Sequence, residues 1–274
     1  MKRGQVAIFI ILALVVIGAT AGIIYVKTSD KTSKQDREFF ASLENKPSLN
    51  SIQSSIIDCS EETSKQALDT IAIQGGYYTK PENSLELSTS FIPYYYNQGT
   101  ITQPSKTKIE SELSSYINEN LKECINQINI NDFKINQKSP ETTTTINKEN
   151  IQFTIDSPIT IEKQDHKIIY ELEDSPVTIN SELNSIIELA EYITQSHNQD
   201  PAMYCISCVA DMAEENDLYL DLIPMADQTS LLIISENHTS SEPYSFAFLN
   251  KYTGDEKSPD FTAGNQGNIP PKEI

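Results

Sequence analysis

Four cysteines, three histidines and several carboxylate groups are the residues of this 274-residue chain best suited to chemistry. Cys205-Ile206-Ser207-Cys208 has the CxxC spacing that serves both zinc binding and thiol exchange. Zinc needs two further ligands, yet there is no second CxxC, and His166, His197 and His238 are scattered over three segments. Thiol exchange expects a thioredoxin-like βαβ setting, which the flanking residues do not supply. The pair reads as a local disulfide at a helix turn, with metal binding and two free thiols as the other readings. Glu61-Glu62 and the group Asp211, Glu214, Glu215, Asp217 and Asp221 could hold calcium or move protons. Their spacing lacks the alternation of an EF-hand loop and fits solvated helix faces.

No GxSxG, HExxH or phosphate-cradling glycine loop is present, and nine glycines leave little material to build one. This points away from enzymatic activity, and no cofactor and no metal is expected. The aromatic clusters Tyr77-Tyr78 and Tyr94-Tyr95-Tyr96 form a candidate ligand or partner surface, because a phenol ring stacks on sugars and proteins alike. Tyrosine is also a good strand former with one wet end, so the same clusters suit a sheet. Asn237-His238-Thr239 is a glycosylation sequon placed just after an expected strand.

The elements that must position these groups divide into helices and short strands. Ile52, Ile56, Cys59, Thr63, Ala67 and Thr70 or Ile71 recur at helical spacing from about Ser51 to Ile73, with Gly75-Gly76 as the stop. Ile109, Leu113, Tyr116 or Ile117, Leu121, Cys124 and Ile128 do the same from about Ser105 to Ile128. Each stripe carries one cysteine, so packing the two helices together would pair Cys59 with Cys124. Two buried thiols are the other reading. Two further helices are expected at about Ser181 to Ser196 and Pro201 to Asn216.

Extended segments are expected at Tyr77-Tyr78, around Phe91 to Tyr96, and at Ile151 to Ile155, Lys167 to Leu172, Leu218 to Ile223, Leu231 to Ile234 and Tyr244 to Phe248. Asp156-Ser157-Pro158-Ile159-Thr160-Ile161 is echoed by Asp174-Ser175-Pro176-Val177-Thr178-Ile179. Proline removes a ladder donor, so both copies should mark a bend or open a fresh strand in an antiparallel meander.

Charge and hydropathy set the location. Three of the 20 basic residues, Lys2, Arg3 and Lys27, stand in the first 27 positions with no acid beside them, leaving 17 to face all 39 acids. So acidic a surface repels phosphate, which excludes nucleic acid as a partner. Val6 to Val26 is an uncharged run that, as a helix, reaches about 30 Å, the thickness of a bilayer's hydrocarbon core. Basic residues before it and acidic bulk after it place the N-terminus in the cytoplasm and the remainder outside the cell. Three fates are open to this segment: an uncut single-pass anchor, a secretory signal peptide cut after Ala19-Thr20-Ala21, or a leader cut between Gly4 and Gln5.

Lys2-Arg3-Gly4-Gln5 ahead of an apolar helix resembles the archaeal class III signal peptide of type IV pilins and archaellins. The resemblance covers roughly the first 26 residues, and Phe9 stands where bacterial relatives usually carry glutamate. It implies cleavage after Gly4 by a prepilin-type peptidase, with the helix kept for membrane anchorage and for self-assembly. The stretches Ile73-Gln74-Gly75-Gly76-Tyr77, Ile92 to Tyr96 and Tyr116 to Leu121 resemble surface proteins of small-genome archaea, a group that implies no activity.

The expected organisation is an α+β protein: signal and transmembrane helix at 1–26, polar stalk at 27–50, ectodomain of about four helices and antiparallel strands at 51–252, and a disordered tail at 253–274. The expected function is a membrane-anchored, non-enzymatic surface protein of pilin-like, filament-subunit type, in contact with the lipid bilayer through its first helix. The alternative is an anchored adhesion module that recognises a surface ligand or partner protein.

Overall fold

The computed structural model describes residues 47–130, 132–199, 206–236 and 244–253. Gly4, Gln5, the apolar run, Cys205, Asn237 and the tail beyond Thr253 lie outside the described residues, as does the stalk up to residue 46. The fold is mixed α+β, with four helices and mostly antiparallel sheets. Among the described residues no helix is long and apolar enough to cross a membrane.

Helix α1 spans Pro47–Ile73 and helix α2 spans Lys106–Gln127. The first begins four residues earlier than its apolar stripe suggested, because proline suits a first helical turn and Leu49 is already buried. The second starts at the expected place, where the Ser105 side chain accepts from the Lys108 N–H at 3.2 Å. The two pack together along Ile52, Ile56, Ala67 and Ile71 on one side and Ile109, Leu113, Ile117 and Leu121 on the other, all fully or nearly fully buried. Ser60 and Ser64 are buried in the same helix, where each hydroxyl donates to the carbonyl one turn back, at 2.9 and 2.7 Å.

The main sheet has six strands: β1 (Ser84–Glu86), β2 (Phe91–Asn97), β3 (Thr100–Ile101), β10 (Leu218–Pro224), β11 (Thr229–Glu236) and β12 (Ser245–Lys251). Its order is β1-β2-β12-β11-β10, with β3 pairing on β2. Every pairing is antiparallel except β2 with β12, in register Tyr94 to Leu249. Helices α3 (Leu183–Gln199) and α4 (Ile206–Glu215) approach β11 and β10 respectively, and α1 approaches β12.

Two smaller sheets are built from the middle of the chain. One has the order β4 (Lys134–Gln137), β7 (Pro158–Lys163), β8 (His166–Glu171), and the other β5 (Glu141–Ile146), β6 (Asn150–Asp156), β9 (Val177–Asn180). The echoed Asp-Ser-Pro segments do open fresh strands, β7 and β9, but not in one meander. The first carries the chain from one small sheet into the other, and the second, after a 3-10 turn at Leu172–Asp174, carries it back. Ser157 is buried at the first crossing, accepting from Gln137 Nε2 at 2.9 Å and donating to the Lys138 carbonyl at 3.3 Å.

Strand β5 is the edge of its sheet and lies against α2. Three polar side chains spaced four apart on α2 meet it. Glu110 Oε1 accepts from the Ile146 N–H at 3.0 Å, Asn118 Oδ1 accepts from the Thr142 N–H at 2.9 Å, and between them Ser114 shares a hydrogen bond with the Thr144 hydroxyl at 2.8 Å. An exposed edge would otherwise offer these donors to another chain.

Candidate functional site

The glycine pair and the two tyrosine clusters singled out in the sequence meet at the junction of α1, α2 and β2. Gly75 and Gly76 end α1 at φ +51° and +81°, backbone conformations that other residues rarely adopt. A Cβ on Gly75 would stand 2.6 Å from the Pro93 ring, and one on Gly76 would stand 2.8 Å from Ile109. The turn is also closed by the Gly76 N–H, which donates to the Ile71 carbonyl at 2.7 Å.

Tyr77 and Tyr78 follow in irregular backbone, not in the extended strand their type suggested. The cause is Glu112 of α2. Its carboxylate is buried and accepts from the Tyr78 and Thr79 N–H groups at 2.8 and 2.7 Å, and it is paired with Lys108 one turn earlier. Burial pushes this carboxyl's pKa up, but the Lys108 ammonium and the Thr79 and Tyr78 N–H donors outweigh it and hold the pKa below the ordinary value. With its oxygens so occupied, Glu112 serves as an anion that fixes the loop and not as a proton acceptor.

The same face of α2 receives Tyr78, whose ring meets Tyr116 edge-on at 5.1 Å and whose hydroxyl donates to Glu119 at 2.8 Å. Tyr77 donates to the Thr102 carbonyl at 3.1 Å.

The second tyrosine cluster corrects the expectation of a shared aromatic surface. Tyr95 and Tyr96 are 1% and 2% exposed, which leaves them no area to offer a partner. Tyr95 stacks on Phe248 with ring centroids 4.4 Å apart and donates to the Gly75 carbonyl at 2.9 Å. Burial raises its phenol pKa well above the ordinary value, so it remains a donor. Tyr96 lies against Tyr252. The cause is register: β2 runs beside β12, so Tyr95 joins the aromatic core that Phe246 and Phe248 build, while Tyr96 is buried on the opposite face against Tyr252. Tyr77, Tyr78 and Tyr94 are half-buried.

Cys59 and Cys124 form a disulfide joining α1 to α2, with Cα atoms 5.7 Å apart and a separation of 65 positions in sequence. A shallow pocket of about 420 Å³ opens beside it, lined in part by Asp58, Glu62, Gln127 and Ile130. Cys208 is also disulfide-bonded. Glu61, Glu62, Asp211, Glu214, Glu215, Asp217 and Asp221 are exposed, as solvated faces would be. Among the described residues no three histidine, cysteine or carboxylate side chains are grouped to hold a metal ion.

Sequence reasoning passed over Glu112 and the edge-covering set Glu110, Ser114 and Asn118. The Lys108–Glu112 spacing of one turn was a visible signal for a helical ion pair, but not for the loop it anchors. A second pocket of about 420 Å³, between α3 and the segment from β3 to α2, was equally unmarked. No protein-family model, curated protein or solved structure matches this chain.

Proposed function

We propose that the chain is an exported, membrane-anchored surface protein with a pilin-type leader, whose α+β unit stands outside the cell as a structural and non-enzymatic subunit. The observation that carries the reading is the Cys59–Cys124 disulfide, since such bonds persist in oxidising compartments and are rare in reducing cytosol. The acidic balance of the chain beyond Lys27 and the Lys2-Arg3-Gly4-Gln5 leader pattern agree with it. On this reading residues 6–26 hold the lipid bilayer and, after cleavage, can bundle with other copies. The alternative of an anchored binding module retains only Tyr77, Tyr78 and Tyr94 of its aromatic surface, because Tyr95 and Tyr96 are core residues.

N-terminal sequencing of protein from cells that possess the peptidase tests the leader. A chain beginning at Gln5, and an uncut Gly4→Val variant, are the expected results. Met1 would indicate an uncut anchor and Gly22 a released secreted protein, and either would overturn the pilin-type reading.

A further inference from the structure

Strand β10 closes one side of the main sheet, and at 7 residues it is the longest edge strand among the described residues. Its pairing with β11 fixes which groups face out. Pro224 stands opposite Ser230 without an N–H, and the Met225 N–H donates to the Thr229 carbonyl at 2.7 Å. Bonded and unbonded pairs alternate along an antiparallel ladder, so Tyr219, Asp221 and Ile223 bond inward to β11, while Leu218, Leu220 and Leu222 turn N–H and C=O outward. Among the described residues no strand or loop bonds to the outer groups of Leu220 and Leu222. The edge of β5 differs, since α2 takes up its donors through Glu110 and Asn118. On the open face of β10, Tyr219 and Ile223 expose large apolar groups on either side of Asp221. The setting carries one sign of charge. Between Lys167 and Lys251 the chain has no lysine or arginine, and α4, packed beside β10, exposes Asp211, Glu214 and Glu215.

We propose that the outer edge of β10 docks an extended, lysine- or arginine-bearing segment of a partner polypeptide, which joins the main sheet as a further strand. Backbone bonds to Leu220 and Leu222 hold the segment, and its side chains alternate between the two faces of the sheet. On the open face it sets apolar groups beside Tyr219 and Ile223 and a cation beside Asp221, because opposite charges on neighbouring strands attract. Charge decides the occupant. A second copy of this chain would bring another cation-free edge and set acid against acid, which neighbouring strands disfavour. Asp221 and Pro224 thus guard the edge against self-pairing, as charge and proline do on other sheet edges, and leave Leu220 and Leu222 open to a basic strand. Docking there does not depend on the leader's fate or on the proposed location.

The test uses the full-length protein in detergent and a short capped peptide of alternating lysine and valine, with binding followed by fluorescence anisotropy and by amide hydrogen exchange. The peptide should bind and should slow exchange of the Leu220 and Leu222 N–H groups, the donors that face it. Its glutamate–valine counterpart should bind at least about tenfold more weakly, and so should a fully N-methylated lysine–valine peptide, which keeps the charge but has no backbone donors. Asp221→Lys, at an exposed position, should lower the affinity for the lysine–valine peptide by about tenfold. No binding at about millimolar peptide would overturn the proposal. Equal binding of the N-methylated peptide would do so too, because the acidic surface alone would then be holding cations. Unchanged exchange at both amides would place the peptide elsewhere and overturn it. So would protection of both amides before any peptide is added, since the chain itself or a second copy would already cover the edge.

Discussion

On β10, β11 and β12 the even positions Leu218, Leu232, Ile234, Phe246 and Phe248 enter the core, while on the other face Tyr219 and Ile223 are 58% and 46% exposed. Leu231 and Ile233, opposite Ile223 and Asp221 in register, are only half-buried. Both faces are rich in large apolar residues. What separates them is coverage, because the core face is the one that packs with the helices. An apolar side chain stabilises by the area it removes from water, so the same residue type differs in value across one sheet.

The sharpest way to break this comparison is Phe248→Ala. Its ring is fully buried and stacked on Tyr95, so the loss should be about 3–5 kcal/mol by denaturant unfolding. A cost below about 1 kcal/mol would mean that the covered face is not where stability resides. Removing the tie between the covering helices comes next. The paired change Cys59→Ser and Cys124→Ser should cost about 2–4 kcal/mol, and reductant should lower the wild-type melting temperature to that of the variant.

Glu112→Gln sharpens the account of how α2 is fastened. It should cost about 1–2 kcal/mol at neutral pH, because two half-buried N–H donors and Lys108 lose a charged partner. The folded pKa of Glu112 lies below its unfolded value of about 4.3. Its contribution is therefore complete above that pH and is lost as pH falls through the folded pKa. Unfolding curves of wild type and variant should converge in acid. A gap that persisted unchanged well below pH 4 would contradict the ionised anchor. At the small end, Tyr219→Ser on the open face should change stability by no more than about 0.5 kcal/mol, again by denaturant unfolding.

The helices were legible because their apolar residues recur every turn, and the Cys59–Cys124 pairing followed from placing both cysteines on those stripes. Strands β6, β8, β10, β11 and β12 were legible from β-branched and aromatic runs. Strands β4 and β5 were not. Lys134–Gln137 and Glu141–Ile146 are mostly polar, and β5 is a strand partly because α2 supplies Glu110, Ser114 and Asn118 to its free edge. No local pattern announces such a partner.

The tyrosines failed for a related reason. Tyr95 and Tyr96 read alike with Tyr94 in sequence, but the parallel pairing of β2 with β12 decides which ring is inside. The Glu112 anchor and the Lys106–Asn184 hydrogen bond depend on contacts between segments far apart in the chain, which spacing cannot show. The exposure of the acids was legible because it needs no partner, although Asp217 and Asp221 lie in a turn and on β10, not on a helix face.

The central claim, that the α+β unit stands outside the cell on a membrane anchor, is tested most directly by treating intact cells with a protease that cannot cross the membrane. The account predicts that the region 47–253 is cut or released without lysis, while the N-terminal segment stays with the membrane fraction. Protection of that region until the cells are broken would place it in the cytoplasm and contradict the account.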